Sequence, residues 1–538
     1  MNTDSFYLIW RNRYLRDFIR NRVFENIEIE INSFEYLDDN HRFLAVFTEQ
    51  HKLDYNIFIK LILCEQDDLI KYVNSPYKYL INDIYIANGM DVSLLAKTKR
   101  QKGNSLILRH DFSLLHHGLH KLLFFIDEYT INGGAATLPH SLTDLEICLS
   151  FSSYGPTNIQ SRFVDFILLN LPPGLKSLTL PNNYNISPHI QCVLPESINN
   201  FVYVSTHENY KRFVVPPNKL FDKTLLLAKS SEDLQWLGNA PWIQFVSLDL
   251  NINETKDTIP PHVRRLKVFH NNIPIGPNIT QLDSYSSHPQ NYTLPSMGSN
   301  LKELYLYSHD DKLQKTNLPA TLTYLHIYHY NRPLDSGVLP PNLKTLKLEL
   351  FNQPLEIGNL PVGLTDIRLG SFNQPLKPFV LPPAVQTLFL DHFDQTALEC
   401  NSLPTSLTRL KINLFKGSFT QRLDNLRVLE LGTLNQSAAT LLSNVKSISI
   451  SPRSIAAGTN LKDTPIQKLS LGPCLNGITR LHPGFLPNNV KYLSLEGYSI
   501  DFVNVIPQGC VQLRTEDIHN LNPTFIPPSV KHLIDISE

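Results

Sequence analysis

Leu-Pro occurs at Leu318, Leu339, Leu360, Leu381 and Leu403, at steps of 21, 21, 21 and 22 residues, and each pair opens the pattern Leu-Pro-x-x-Leu-x-x-Leu-x-Leu with apolar substitutions. Thus Leu322, Leu325 and Ile327 are matched by Leu343, Leu346 and Leu348, by Leu364, Ile367 and Leu369, by Val385, Leu388 and Leu390, and by Leu407, Leu410 and Ile412. A fixed period of this length is the mark of a solenoid, in which each unit buries its apolar face only against the units above and below. The closing Leu-x-Leu has the period of a strand with one face turned inward. A strand of about 4–6 residues leaves roughly 15 for the return to the next turn. Those returns hold one or two prolines and often a glycine, so extended chain and tight turns are expected there rather than α-helix.

The other half of the unit is the segment FNQPL, present at residues 351–355 and again at 372–376. Asn331, Asn352, Asn373 and Asp394 recur at 21-residue steps, as a ladder of small polar side chains bonding the backbone of adjacent coils requires. The aromatic before each, Tyr330, Phe351, Phe372 and Phe393, fills the bend, and Pro333, Pro354 and Pro375 fix an extended exit. The ladder lapses at Lys416 and returns in altered form at Asn435. Looser copies of the leucine pattern run from Leu119-Leu122-Phe124 to about Val530, and residues 205–240 match poorly. FNQPL, a short spacer and LP-x-x-L-x-x-L-x-L resemble the FNIP repeat, a relative of the leucine-rich repeats, most closely over 318–412. The resemblance implies a protein-interaction array without catalytic residues and names no partner. The expected fold is therefore mainly β: a leucine-rich-repeat-like solenoid of parallel strands over residues 106–538, with little helix in its repeats.

Residues 1–105 are expected to form a small mixed or helical cap over the open end of the leucine core. Its first helix, over 5–24, places Tyr7, Trp10, Tyr14, Phe18 and Ile19 on one face, with Asp4–Ser5 as N-cap. Pro76 and the polar stretch Gln101–Asn104 are plausible breaks. A helix of this kind also resembles the degenerate F-box-like openings found beside such repeats, although the opening Leu-Pro and acidic residue of an F-box are absent. That alternative would make the chain a substrate-recognition adaptor of a ubiquitin ligase.

With 538 residues and a formal net charge of −1, the chain lacks the concentrated positive field of a general nucleic-acid or polybasic membrane protein. Asp4 and the arginines near the start replace the apolar core of a signal peptide, and no apolar run is long enough to span a bilayer. Six scattered cysteines with no C-x-x-C pair fit reduced, mostly buried thiols in a cytoplasmic protein. On that setting the sequon at Asn253 carries no meaning.

Phosphate-loop, dinucleotide, zinc-protease and nucleophile-elbow motifs are all missing. His116, His117 and His120 sit at the entry to a turn without an acidic or thiol neighbour in sequence, and Asp310, paired with Asp311, falls on the Asn-ladder position. No metal, cofactor or catalytic residue is expected. What varies is the residue between the last two apolar positions of each strand, which points outward. Turn by turn it runs Asp283, Tyr305, His326, Lys347, Arg368, Phe389, Lys411, Glu430, Ser449, with Tyr307 and Tyr328 in the neighbouring column. Tyr305, Tyr307, His326, Tyr328, Lys347, Arg368, Phe389 and Lys411 are the candidate partner-binding residues, an aromatic and cationic patch suited to an acidic or peptide partner. The plain alternative is an ordinary solvated strand face of mixed polarity. The expected function is a non-catalytic protein-interaction scaffold.

Overall fold

The computed structural model describes residues 13–90, 92–95, 112–126, 137–149, 161–249, 258–269, 275–285, 300–309, 311–315, 317–475, 477–516, 518 and 521–536. The cap residues Asp4 and Ser5, the helix positions Tyr7 and Trp10, the stretch Gln101–Asn104, Asn253 and Asp310 lie outside them. The fold is mainly β, a leucine-rich-repeat-like solenoid of parallel strands. The chain divides into two compact units that meet in sequence at about residues 250–264. Among the described residues, no helix is long and apolar enough to cross a membrane.

The main sheet of the second unit holds fourteen parallel strands among the described residues, from Arg265–Val268 to His532–Asp535. The Leu-Pro-x-x-Leu signature has a local cause. In each regular turn the proline carbonyl accepts from the N–H three residues on: Leu322 to Pro319, Leu343 to Pro340, Leu364 to Pro361, Val385 to Pro382 and Leu407 to Pro404, all at 3.1–3.2 Å. Proline supplies the carbonyl of a tight turn while needing no donor of its own. The turn delivers the chain straight into the strand, where Leu325, Leu346, Ile367, Leu388 and Leu410 lie in register and are buried.

On the return side the expected ladder is present. Asn352 N–H donates to Asn331 Oδ1, Asn373 N–H to Asn352 Oδ1 and Asp394 N–H to Asn373 Oδ1, each at 2.9 Å. The side-chain amides of Gln353, Gln374 and Gln395 donate to the same three oxygens at 3.1, 3.2 and 2.9 Å. One asparagine oxygen therefore ties two groups of the next coil. Behind it Tyr330, Phe351, Phe372 and Phe393 stack face over face at 6.3 Å, their planes within 4° of parallel, and all are buried. Phe415 joins at 5.9 Å but tilts by 25°. The ladder lapses there and resumes in altered form, with Asn435 Nδ2 donating to the Lys416 and Gly417 carbonyls.

The main sheet of the first unit carries nine parallel strands among the described residues, beginning with Glu28–Ile31, Phe58–Leu63 and Asp83–Ile86. The boundary expected at residue 105/106 falls inside this ladder, because Asp83–Ile86 pairs with Lys121–Ile126. These early turns escaped the leucine signature because their returns are helical: Phe34–Leu44 and Glu49–Asp54, then Gln66–Asn74. Arg162–Leu169 and Ser231–Leu237 serve later turns in the same way. Little helix in the repeats thus describes the second unit better than the first. Of the expected helix over 5–24, the structure describes Arg13–Val23. All six cysteines are free, and only Cys192, Cys474 and Cys510 are buried.

Two substitutions measure the return side separately. Phe372→Ala removes a fully buried ring from the stack and is expected to cost about 3–5 kcal/mol in a denaturant titration. Asn352→Ala, which removes the acceptor of Asn373 N–H and one of the two acceptors of Gln374 Nε2 at a partly exposed site, should cost about 1 kcal/mol. Equal losses for the two would contradict a stack that carries most of the energy.

Candidate functional site

The parallel ladder puts the candidate residues side by side. Register places Asp283 beside Tyr305, then His326, Lys347, Arg368, Phe389, Lys411 and Glu430 on successive rungs. The column does not continue to Ser449. Glu430 faces Ser451, while Ser449 lies opposite Val428, because the long strands Val428–Leu434 and Ser447–Ile455 pair with a two-residue offset. An even offset keeps the apolar residues inward, so the core tolerates it.

From Tyr305 to Glu430 this column is half-buried, and its charges are already engaged. Arg368 Nε lies 3.2 Å from Glu349 Oε1, and its Nη2 lies 3.4 Å from Asp391 Oδ2. His326 Nε2 is 3.5 Å from the same Glu349 oxygen, and burial pushes this imidazole below its ordinary value. Lys411 pairs with Glu430 at 3.0 Å and lies over the Phe389 ring at 5.9 Å, while Lys347 lies over Tyr324 at 5.4 Å. The cationic centre legible in the sequence thus meets acids, Glu349 and Asp391 from the adjacent column and Glu430 from the next rung of its own.

That adjacent column, two residues further along each strand, changes character along its length. Phe269, Tyr285, Tyr307 and Tyr328 occupy it on four successive rungs and are 39–45% exposed. Glu349, Gly370, Asp391 and Asn413 follow. Tyr307 and Tyr328 stack at 5.8 Å with planes 3° apart, and Phe269 and Tyr285 meet at 5.6 Å. Lys267 lies over both of the latter rings, at 5.2 and 4.5 Å. Tyr305 is tilted against Tyr324 at 4.7 Å, and burial raises its phenol well above the ordinary value. Tyr305, Tyr307, His326 and Tyr328 are therefore brought together, whereas Arg368, Phe389 and Lys411 belong to a separate, charge-compensated stretch. Phe269 and Tyr285 were missed in the sequence because Asp283 stands 16 residues after Lys267 and 22 before Tyr305, so no constant period marks them.

A family model for the FNIP Repeat matches residues 309–350, 330–372, 351–393 and 372–415. The chain carries FNIP repeats. No curated protein matches it. Among solved structures it is similar to CroV588, described as a circular LRR protein, at 18% identity, covering 86% of this chain and 77% of that one with a TM-score of 0.44. A chain of the mouse RP105/MD-1 complex is similar at 17% identity over 76% of this chain and 87% of its own, TM-score 0.43. YopM from Yersinia enterocolitica is similar at 17% identity over 78% and 87%, TM-score 0.34.

Away from the FNIP turns, the first unit has its own strand-face column, Glu30, Lys60, Asp83, Lys121 and Asp144, alternating in sign from rung to rung. A cavity of about 270 Å³ opens over it, lined also by Tyr85, Leu123 and Glu146. Lys60 pairs with Glu28 at 2.8 Å and Lys121 lies over the Phe58 ring at 3.3 Å. Burial pushes the Asp83 carboxyl up to about 6, against the opposing pull of Lys121. The sequence histidines are structural. His116 Nε2 donates to the Ile81 carbonyl at 2.8 Å and Nδ1 accepts from Tyr72 Oη at 2.7 Å, while burial lowers the ring to about 4. His120 contacts Asn82 and Glu49, and His117 and Asp311 are exposed.

Asp83 generates a pH prediction. A carboxyl raised in the folded chain holds its proton more tightly folded than unfolded, so its ionisation opposes folding. The cost is absent below the unfolded value near 4, grows between about 4 and 6, and is complete above about 6. Asp83→Asn should therefore gain about 2 kcal/mol at pH 7.5 and nothing at pH 4, read as denaturation midpoints across that range. A gain that grows as pH falls would contradict the assignment.

Proposed function

We propose that this protein is a non-catalytic protein-binding scaffold whose docking surface is the aromatic band of the second unit. The observation that carries the reading is the run Phe269, Tyr285, Tyr307, Tyr328: four exposed rings at one register position on consecutive rungs. Aromatic side chains supply large contact area at low entropic cost and are the usual anchors of protein interfaces. The parallel ladder beneath holds them at a fixed spacing, which lowers the ordering cost of binding. Tyr305 and His326 support the band from the adjacent column, and Lys347 extends it with a cation held over Tyr324. The fitting partner is an extended or flat apolar–aromatic protein surface with modest acidic character, and neither nucleic acid nor a membrane surface is invoked. A cytoplasmic setting accords with the free thiols.

A second reading, the ubiquitin-ligase adaptor, is favoured by one observation. The helix Arg13–Val23 leaves Phe18, Ile19 and Val23 exposed, an apolar face of the sort that docks into a partner groove. The two readings use different surfaces and separate by mutation of the full chain. Tyr285→Ser, Tyr307→Ser and Tyr328→Ser combined should reduce recovery of bound proteins in affinity capture at least tenfold, whereas Arg368→Ala should leave it nearly unchanged. Phe18→Asp with Ile19→Asp should remove cullin-linked proteins only under the adaptor reading. A folded tyrosine triple variant that captures the same proteins as the wild type would sink the proposal for the band.

A further inference from the structure

The strands Asn200–Ser205 and Phe221–Ala228 are parallel neighbours, and each runs directly into a short helix, His207–Tyr210 and Ser231–Leu237. These adjacent exits bring together His207 and Glu208 from one coil with Glu232 and Asp233 from the next. The segment lies within the residues that depart from the leucine pattern. His207 Nε2 lies 3.1 Å from Glu208 Oε1 and 3.7 Å from Glu232 Oε1, and the three ligand-type atoms all fall within 4.8 Å of one another.

The orientation of the ring is set by Asp233. Its Oδ2 accepts from Lys229 N–H and Ser230 N–H, both at 2.9 Å, and from Ser230 Oγ at 2.8 Å, which leaves Oδ1 facing His207 Nδ1 at 2.6 Å. With Oδ2 taken by three donors, Oδ1 is the oxygen that accepts from His207 Nδ1–H. The remaining nitrogen, Nε2, is buried in a side chain 10% exposed, and no hydrogen bond meets it. Its nearest polar neighbours are two carboxylate oxygens. The ring nitrogen and the two carboxylate oxygens converge on one point, where a single cation could be held by all three.

We propose that His207, Glu208 and Glu232 bind one divalent transition-metal cation of the Zn²⁺ class, with Asp233 orienting the imidazole. One imidazole nitrogen and two carboxylate oxygens form a donor set suited to zinc. Metal–ligand bonds of about 2.0–2.1 Å in a tetrahedron set ligand atoms roughly 3.4 Å apart, close to the two separations measured from Nε2. A carboxylate on the far ring nitrogen is the usual support of a metal-bound histidine. The fourth position is left for water or for a side chain of a bound protein. Lys211 Nζ, 2.5 Å from Glu208 Oε1, is the competing cation at this carboxylate. The site belongs to the first unit and stands independently of the aromatic band.

The test is isothermal titration of the chelator-treated full chain with Zn²⁺ at pH 7.5, with circular dichroism as the check on folding. One zinc per chain is expected. Glu232→Gln and Glu208→Gln, both at exposed side chains, should each weaken binding at least tenfold, and Asp233→Asn should weaken it about 10–100-fold. Zinc should also raise the melting temperature of the wild type and not that of Glu232→Gln. Failure of the wild type to bind zinc would overturn the proposal. So would folded Glu208→Gln and Glu232→Gln variants that titrate like the wild type. A zinc-free chain whose His207 ring holds two protons at pH 7.5 by NMR, and which takes up no metal, would assign the cluster to an imidazolium ion pair instead.

Discussion

A coil of a parallel solenoid offers backbone donors on one edge that only the next coil can satisfy, and on the return side of the FNIP turns one side-chain oxygen does this. Asn331, Asn352 and Asn373 each accept the N–H of the corresponding residue one coil on. The bond can close only if the next coil reaches the same height after the same length of chain, so it fixes the period. Once the period is fixed, Phe351 lies under Phe372 and Leu346 beside Ile367 without further instruction. Where the asparagine gives way to Lys416, the stack tilts at Phe415, and within one rung the strands pair with a two-residue offset.

The regular coils were legible because position there is nearly equivalent to sequence interval. Strand register, the asparagine ladder, the aromatic stack and the helix-free returns of residues 318–412 all follow from residues 21 apart. The first three rungs were not legible, because a return that folds as Phe34–Leu44 or Gln66–Asn74 needs neither Leu-Pro nor a constant length. What remains there is a run such as Phe58–Leu63, which reads equally well as part of a mixed cap. A chain can change the material of its returns without changing the ladder, and only the ladder defines the solenoid.

The candidate surface was legible in one dimension only. Reading the outward column gave Tyr305, His326, Lys347, Arg368 and Lys411 in their true order. The column beside it decides what those residues are free to do. Glu349 and Asp391 stand two positions along their own strands, and the pleat returns them to the same face, within reach of Arg368. Likewise His207, Glu208, Glu232 and Asp233 are unremarkable as two dipeptides some 25 residues apart, and acquire meaning only because two strands end at the same height.

This distinction bears on where a partner gains energy. A guanidinium already held between two carboxylates offers a partner little, since recruiting it breaks existing pairs and leaves Glu349 and Asp391 to be resolvated. An exposed ring keeps its gain for binding, because its apolar area remains to be removed from water. Tyr307 and Tyr328 also hold one another in parallel, so part of the ordering cost is met before any partner arrives. On a ladder whose charges are largely compensated rung by rung, in both units, the uncompensated quantity is aromatic surface. It collects on the four rungs from Phe269 to Tyr328, just ahead of the most regular coils. On the proposed reading the repeated residues there supply rigidity and the variable ones contact, and recognition needs the two on the same face of the same sheet.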